Sequence, residues 1–463
     1  MKMKKILFLS FVLAFMSCSK DDNEAVTEHT KPGLAEETDL LSGYSSFEVT
    51  LPENLRELTS AANATFAVWP SIFFSANDDN TIDVYWEGSN TALNGHRHFT
   101  KISLQSKQIV AENPLPAALN LGNTRFLGYD KISGGRYIMG TSDVNPDNQL
   151  RKNPKLYCFD SNGTVKYTID LWKDCDPANI ATGQAGQAIM TYNKAGDTFG
   201  VYMAHRAGGH QAGWLGFYKA ETGERTFLRD WYISHNFDQR LLPLPDGRYV
   251  ALAHGDALPK RSLFVEGWDV NKGRLNWLNY YDIPGASGEN NRKSSTGEVI
   301  NLPNGNLAIV YATQRDHSTE KIVRDVRVAI VSGIGTSAQK VIKENWLTSY
   351  AADTEIDETA GWGMQIGRYS DDKIFLAWNV FKTQQSNKIQ KTTFALIDNE
   401  GNLLKTKDTL VNTSKKEGIK MIQPAQTMRR TSDGKYLVFL SEGSESNKLR
   451  VNMMPVKKIN RFG

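Results

Sequence analysis

Residues 245–256 read PDGRYVALAHGD, and residues 303–314 read PNGNLAIVYATQ. Each opens on a turn of Pro with Asp-Gly or Asn-Gly, then runs into β-branched and aromatic residues. A turn with Gly or Asn at a positive-φ position followed by such a run is a hairpin signature. The pattern recurs as DDNTIDVYWEG from Asp78, SGGRYIMGTSD from Ser133 and AGDTFGVYMAHR from Ala195. It returns as SDDKIFLAWNVF from Ser370 and SDGKYLVFLSEG from Ser432. The seven copies are spaced by roughly 50 to 67 residues. Each is followed by a second strand ending in another tight turn, such as CFDSNGTVKY from Cys158, YKAETGERTF from Tyr218, WDVNKGRLNW from Trp268 and LIDNEGNLLK from Leu396.

A repeat of this length is one supersecondary unit that buries its faces only against its neighbours. Two hairpins per unit make four strands, A to D. The fold class predicted is therefore all-β, a seven-bladed β-propeller spanning residues 43–463. The last unit supplies a third strand at Leu449–Val456 and then fades. Ser46–Leu51, reading SFEVTL, is expected to provide its missing fourth strand and close the ring, which removes an open sheet edge. A two-domain sandwich is the alternative. It needs a break near the middle, where no Pro/Ser linker stands.

Composition agrees. The chain has 463 residues, 40% hydrophobic and 23% charged, which excludes a multi-span membrane protein, a coiled coil and a disordered chain. Its 37 Gly, 17 Tyr and 10 Trp favour strands and turns. The formal charge is +3, but without Lys2, Lys4 and Lys5 the balance is 51 basic against 51 acidic residues. A neutral body has no field to gather nucleic acid.

Those three lysines precede an apolar run, Ile6–Met16, too short to span a bilayer and followed at once by Ser17-Cys18. Residues 1–17 read as a signal peptide. The Cys at its end resembles the bacterial lipoprotein signal, although Phe15 stands where Leu is usual. That resemblance implies a Cys18 thiol carrying a long-chain acyl group such as palmitate. Ser19-Lys20-Asp21-Asp22 resembles the acidic tag that sends some lipoproteins to the outer leaflet of the outer membrane. Residues 18–42 are then a lipidated flexible tether, and the body is anchored facing the cell exterior. Outside the cytoplasm, Cys158 and Cys175 have two states open to them, a disulfide or two buried thiols.

In a propeller, A–B and C–D turns share one face, and B–C and blade-to-blade loops share the other; here the first set read as minimal turns and the second as longer and richer loops. Seven of the eight histidines fall in or beside the second set; His29 is in the tether. His96 and His98 lie in blade 1. Blade 3 carries His205, Arg206, His210 and Gln211. Blade 4 carries His235, Asp238, Gln239 and Arg240, then His254, Asp256, Lys260 and Arg261. Blade 5 adds Arg315, Asp316 and His317. Adjacent loops are neighbours, so these residues are expected to share a site off the central axis. A structural explanation stands beside this one: His avoids tight turns and strand interiors.

Three readings compete. In one, His205, His210, His235 or His254 with Asp256 ligates a divalent metal, for which imidazole plus carboxylate suits Zn or Mn. No HExxH or CxxC spacing supports it, and the sequence fixes neither a metal nor a cofactor. In another, the chain is similar in fold and inventory to polysaccharide lyases and glycosidases that are seven-bladed propellers. That implies a base, an acid and a cation against a uronate, from His235, His254, Tyr232, Arg240, Lys260 and Arg261. In the leading reading, the chain resembles accessory lipoproteins of outer-membrane uptake systems. It then captures a glycan or a ferric chelate and passes it to a transporter. Trp86, Trp214, Trp231, Trp362 and Trp378 are candidate sugar platforms, with core packing between blades the commoner role for any one of them, and Arg206, Arg240, Lys260, Arg261 and Arg315 are candidate anion contacts. A platform for protein partners comes third. GxSxG, P-loop and EF-hand patterns are absent, and Gly183–Gly186 reads as a loop between blades.

Overall fold

The computed structural model describes residues 40–55, 72–89, 97–120, 123–145, 147, 151–181, 183–207, 210–257, 260–276, 279–286, 294–315, 323–350, 358–360, 364–382, 385–411, 419 and 428–457. Seven antiparallel sheets of four strands each form a β-propeller. The first strands of successive sheets touch in a closed ring, from blade 1 (Ile72–Ala76) through blade 7 (Arg429–Arg430) and back.

Each repeat signature folds as the A–B turn and strand B of one blade. In blade 4, strand A (Phe237–Pro243) turns into strand B (Tyr249–Ala257) through Asp246-Gly247. Gly247 takes a φ of 89°, a conformation costly to any residue with a Cβ. Asp246 Oδ1 accepts the Arg248 amide at 3.1 Å, and Asn304 and Asp433 do the same two residues on in blades 5 and 7. One local device thus repeats around the ring.

The core lies between blades. Val250, Leu252, Leu263 and Val265 of blade 4 pack on Val299, Leu307 and Ile309 of blade 5. The opposite face of blade 4 sets Tyr249, Ala251 and Trp268 against Tyr202, Leu215 and Phe217 of blade 3. Strand residues of both parities are therefore apolar, and each large buried side chain contributes roughly 1.5–3 kcal/mol.

The ring closes as expected. Ser45–Thr50 pairs with Lys448–Pro455, Val49 opposite Leu449 and Glu48 opposite Arg450. The Arg450 guanidinium donates to Glu48 at 2.7 Å, and the Ser444 amide and hydroxyl donate to the same carboxylate.

Two expectations are corrected, and of the two states open to the cysteines the buried thiols are found. The B–C connections of blades 3, 4 and 6 are short rather than long: only residues 208–209, 258–259 and 383–384 lie between strands that run the full height of the sheet. His205, His210, His254 and Asp256 accordingly sit on strands, because the alternating run in each blade continues past them up to a two-residue connection. Of Gly183–Gly186 only Gly183 lies in the connection, since Gln184–Asn193 is strand A of blade 3. Cys158 and Cys175 are both free and buried; Cys158 faces Tyr167 across its hairpin, and the Trp214 indole donates to the Cys175 sulfur. No helix among the described residues is long and apolar enough to cross a membrane. Cys18 and the signal segment lie outside the described residues.

Candidate functional site at the junction of blades 3 and 4

Strand C of blade 3 begins at His210, and strand D of the same blade ends at Ser234, one residue before His235. The two segments are stapled together. The His235 amide donates to the Gln211 carbonyl at 2.6 Å, and Gln211 Nε2 donates to the Asn236 carbonyl at 2.8 Å. Between them the chain turns sharply: Ile233 has a φ of 54° and His235 a φ of 51°. For a β-branched residue that is a strained conformation, and strain of this kind gathers where geometry is over-determined by its surroundings. Gly255 makes room for it, since a Cβ there would lie 2.0 Å from the Ile233 side chain.

This turn sets His235 beside Asp256. His235 Nδ1 lies 2.7 Å from Asp256 Oδ2 and 3.0 Å from Ser234 Oγ. A carboxylate only accepts, so Nδ1 carries the proton and the Nε2 lone pair is left for other chemistry. Among the described residues nothing hydrogen-bonds to Nε2. Asp256 is held in turn. Its cross-strand partner Arg261 donates to Asp256 Oδ1 at 3.4 Å and to the His235 carbonyl at 3.0 Å. The His235 side chain is 18% exposed, whereas that of Arg261 is wholly buried. His210 is exposed, its ring centre 5.7 Å from that of His235 and nearly perpendicular to it.

Other candidates are committed to the fold. Arg240 is buried and donates to Glu298 of blade 5 at 2.9 Å. Arg315 binds Asp325 at 3.2 Å and the Thr348 carbonyl, with its guanidinium over Trp346. His254 is fully buried, 3.4 Å from Ser294 Oγ; burial first, then the Arg261 and Arg240 charges, push its imidazole well below the usual range. His205 is also fully buried and donates through Nε2 to the Asn179 carbonyl at 3.0 Å, and burial lowers its pKa. Both are neutral imidazoles that a ligand does not reach. Gln239 is buried on Asn236, and Tyr232 packs on Trp268. His98 stacks on Trp86 and meets Glu53 at 2.7 Å, away from this junction.

Arg206 is exposed, with no ion pair among the described residues. Strands carry Asp238 and Lys260, but their side chains, together with His96, His317 and Trp362, lie outside the described residues. The sugar platforms are corrected: Trp86, Trp214 and Trp378 are fully buried, each donating its indole N–H inside the core, and Trp231 is half-buried. Ser234 and Asn236 were not singled out by the sequence, although they flank His235 in SHNFDQR. Glu298 had no local signal at all.

No protein-family model matches this chain, and no curated protein does. Solved structures resemble it in outline. The polysaccharide lyase Uly1 matches at 10% identity with a TM-score of 0.49, covering 89% of this chain and 99% of that one. The Kuenenia stuttgartiensis hydrazine synthase matches at 12% and 0.47, covering 85% and 99%. A Penicillium chrysogenum α-L-arabinanase matches at 12% and 0.40, covering 89% and 98%. Likeness this distant carries nothing about what this chain binds.

Proposed function

We propose that the chain is a carbohydrate-active enzyme of the polysaccharide lyase or glycosidase kind, with the junction of blades 3 and 4 as its proton-transfer site. The observation that carries the reading is the clamp of Asp256 on His235 Nδ1, which orients the ring and leaves Nε2 as the base. For elimination across a uronate, Nε2 takes the C5 proton. The electron pair forms the C4=C5 bond as the C4–O bond breaks, and His210 returns a proton to the leaving oxygen. Arg206 is the cation that can meet the carboxylate, because Arg240, Arg261 and Arg315 are engaged inside the fold. The same engagement removes most of the cations on which capture of an anionic chelate would depend.

The test is turnover of uronate polymers and neutral glycans, followed by ultraviolet absorbance of the new double bond and by reducing ends. Activity that falls at least a hundredfold in His235→Gln, with the melting temperature kept, supports the reading. Activity untouched in that variant sinks it. Surface display through an acylated Cys18 belongs to the same proposal, and loss of labelled palmitate in Cys18→Ala checks it.

A further inference from the structure

We infer that His210 and His235 together form a binding site for a divalent transition-metal ion of the zinc or copper type. The inference does not rest on the enzyme reading, because it needs only the two rings and what holds them. Metal–nitrogen bonds of about 2.0–2.1 Å place the centres of two imidazoles sharing one ion about 5–6.5 Å apart. The observed separation is 5.7 Å, with the ring planes at 87°.

The His235 ring is set in advance, and His210 is an exposed ring on the segment stapled beside it, free to turn a nitrogen towards the same point. The paired hydrogen bonds between Gln211 and the His235–Asn236 backbone fix the two segments, and the left-handed backbone at Ile233 and His235 aims the second ring. His235 also has the outer support that metal-bound imidazoles carry, since its far nitrogen donates to a carboxylate that orients the ring. Arg261 holds that carboxylate in place. His210 is exposed and His235 partly so, which leaves an entry path and room for water in the remaining positions. Two imidazoles and no carboxylate in direct contact select borderline-soft ions over magnesium or calcium. An ion on His235 Nε2 takes that atom from proton transfer, so the same ion inhibits any turnover that uses His235 as base.

The experiment is calorimetric titration of the untagged full chain with Zn²⁺, read in parallel by the visible absorption of Co²⁺. It needs no substrate, so its failure is separate from failure of the enzyme reading. One ion per chain is expected, with Mg²⁺ giving no heat. His210→Ala changes an exposed ring and should keep the melting temperature while weakening Zn²⁺ at least tenfold. Asp256→Asn should weaken it by about 10–100-fold. Absence of Zn²⁺ binding, equal binding of Mg²⁺, or full affinity in folded His210→Ala would each overturn the assignment.

Discussion

Glu266 lies between blades 3 and 4 with its carboxyl 3.5 Å from the Arg274 guanidinium, and neither of its oxygens accepts a hydrogen bond from a described residue. Burial pushes its pKa up to about 8, a rise that Arg274, Trp268 and Arg229 offset only in part. The folded protein therefore holds a proton there that the unfolded chain has already released.

The sign of the consequence is fixed by linkage. Stability falls as pH rises from the ordinary glutamate range to about 8, and the full penalty stands above that. Each pKa unit is worth about 1.4 kcal/mol, so the penalty is on the order of a few kcal/mol. Glu266→Gln, which keeps the shape without the charge, should melt several degrees higher than the parent at about pH 9 and nearly with it at about pH 5. Equal melting of the two proteins at the alkaline end would show that the carboxyl is relieved by a partner.

His254 and His205 tilt the acid side. Both are buried with lowered pKa values, His254 further depressed by the Arg261 and Arg240 charges. In the unfolded chain each imidazole takes up a proton near about pH 6.5, which the folded state refuses. Stability is thus lost as pH falls below about 6.5. Thermal melts of His254→Gln from about pH 7 to 5 should show a flatter acid limb than the parent. An unchanged limb would mean that other groups set acid unfolding.

The architecture was legible because its signals are local. A turn with Gly247 or Gly305, an Asx hydrogen bond and an alternating strand lie within a dozen residues of each other, and they repeat. The site was legible only in outline. In sequence, His205 and His254 look like His210 and His235, but their height in the sheet buries the first two between blades, while His210 starts a strand and His235 sits in the turn between strands. Arg240 looked like a ligand contact because its partner Glu298 lies on the next blade, 58 residues away. Two of the tryptophans follow suit, since the N–H partners of Trp214 and Trp378 are Cys175 and Tyr350, outside their own sheets, whereas Trp86 bonds Thr100 on the next strand of its own blade. Local patterns announce strands; whether a charge is spent or available is decided by pairings across blades.

Arg261 should prove to be a positioning residue. It is buried and bonds both the Asp256 carboxylate and the His235 carbonyl. Arg261→Met leaves that carboxylate without its guanidinium at a cost of about 3–5 kcal/mol. Adding Asp256→Asn removes the carboxylate charge that Arg261 balanced, so the double variant should recover part of the loss. Urea unfolding of the parent, both single variants and the double variant measures this coupling. Strict additivity would show that the pair does not interact.

Ring closure by the N-terminal strand gives the last test. Val49 is 3% exposed and packs with Ile72, Val84, Val438 and Val451, so one residue joins the first blade to the last. Its neighbour Thr50 points to solvent. A charge at position 49 has no partner and must either be desolvated or pull the strand away from Lys448–Pro455. Val49→Asp should cost on the order of 3 kcal/mol or more, while Thr50→Asp should stay within about 0.5 kcal/mol. The contrast separates closure from general intolerance of acid in this strand. If both variants unfold at the parent's urea midpoint, the strand contributes nothing to the ring, and blade 7 must stand on three strands.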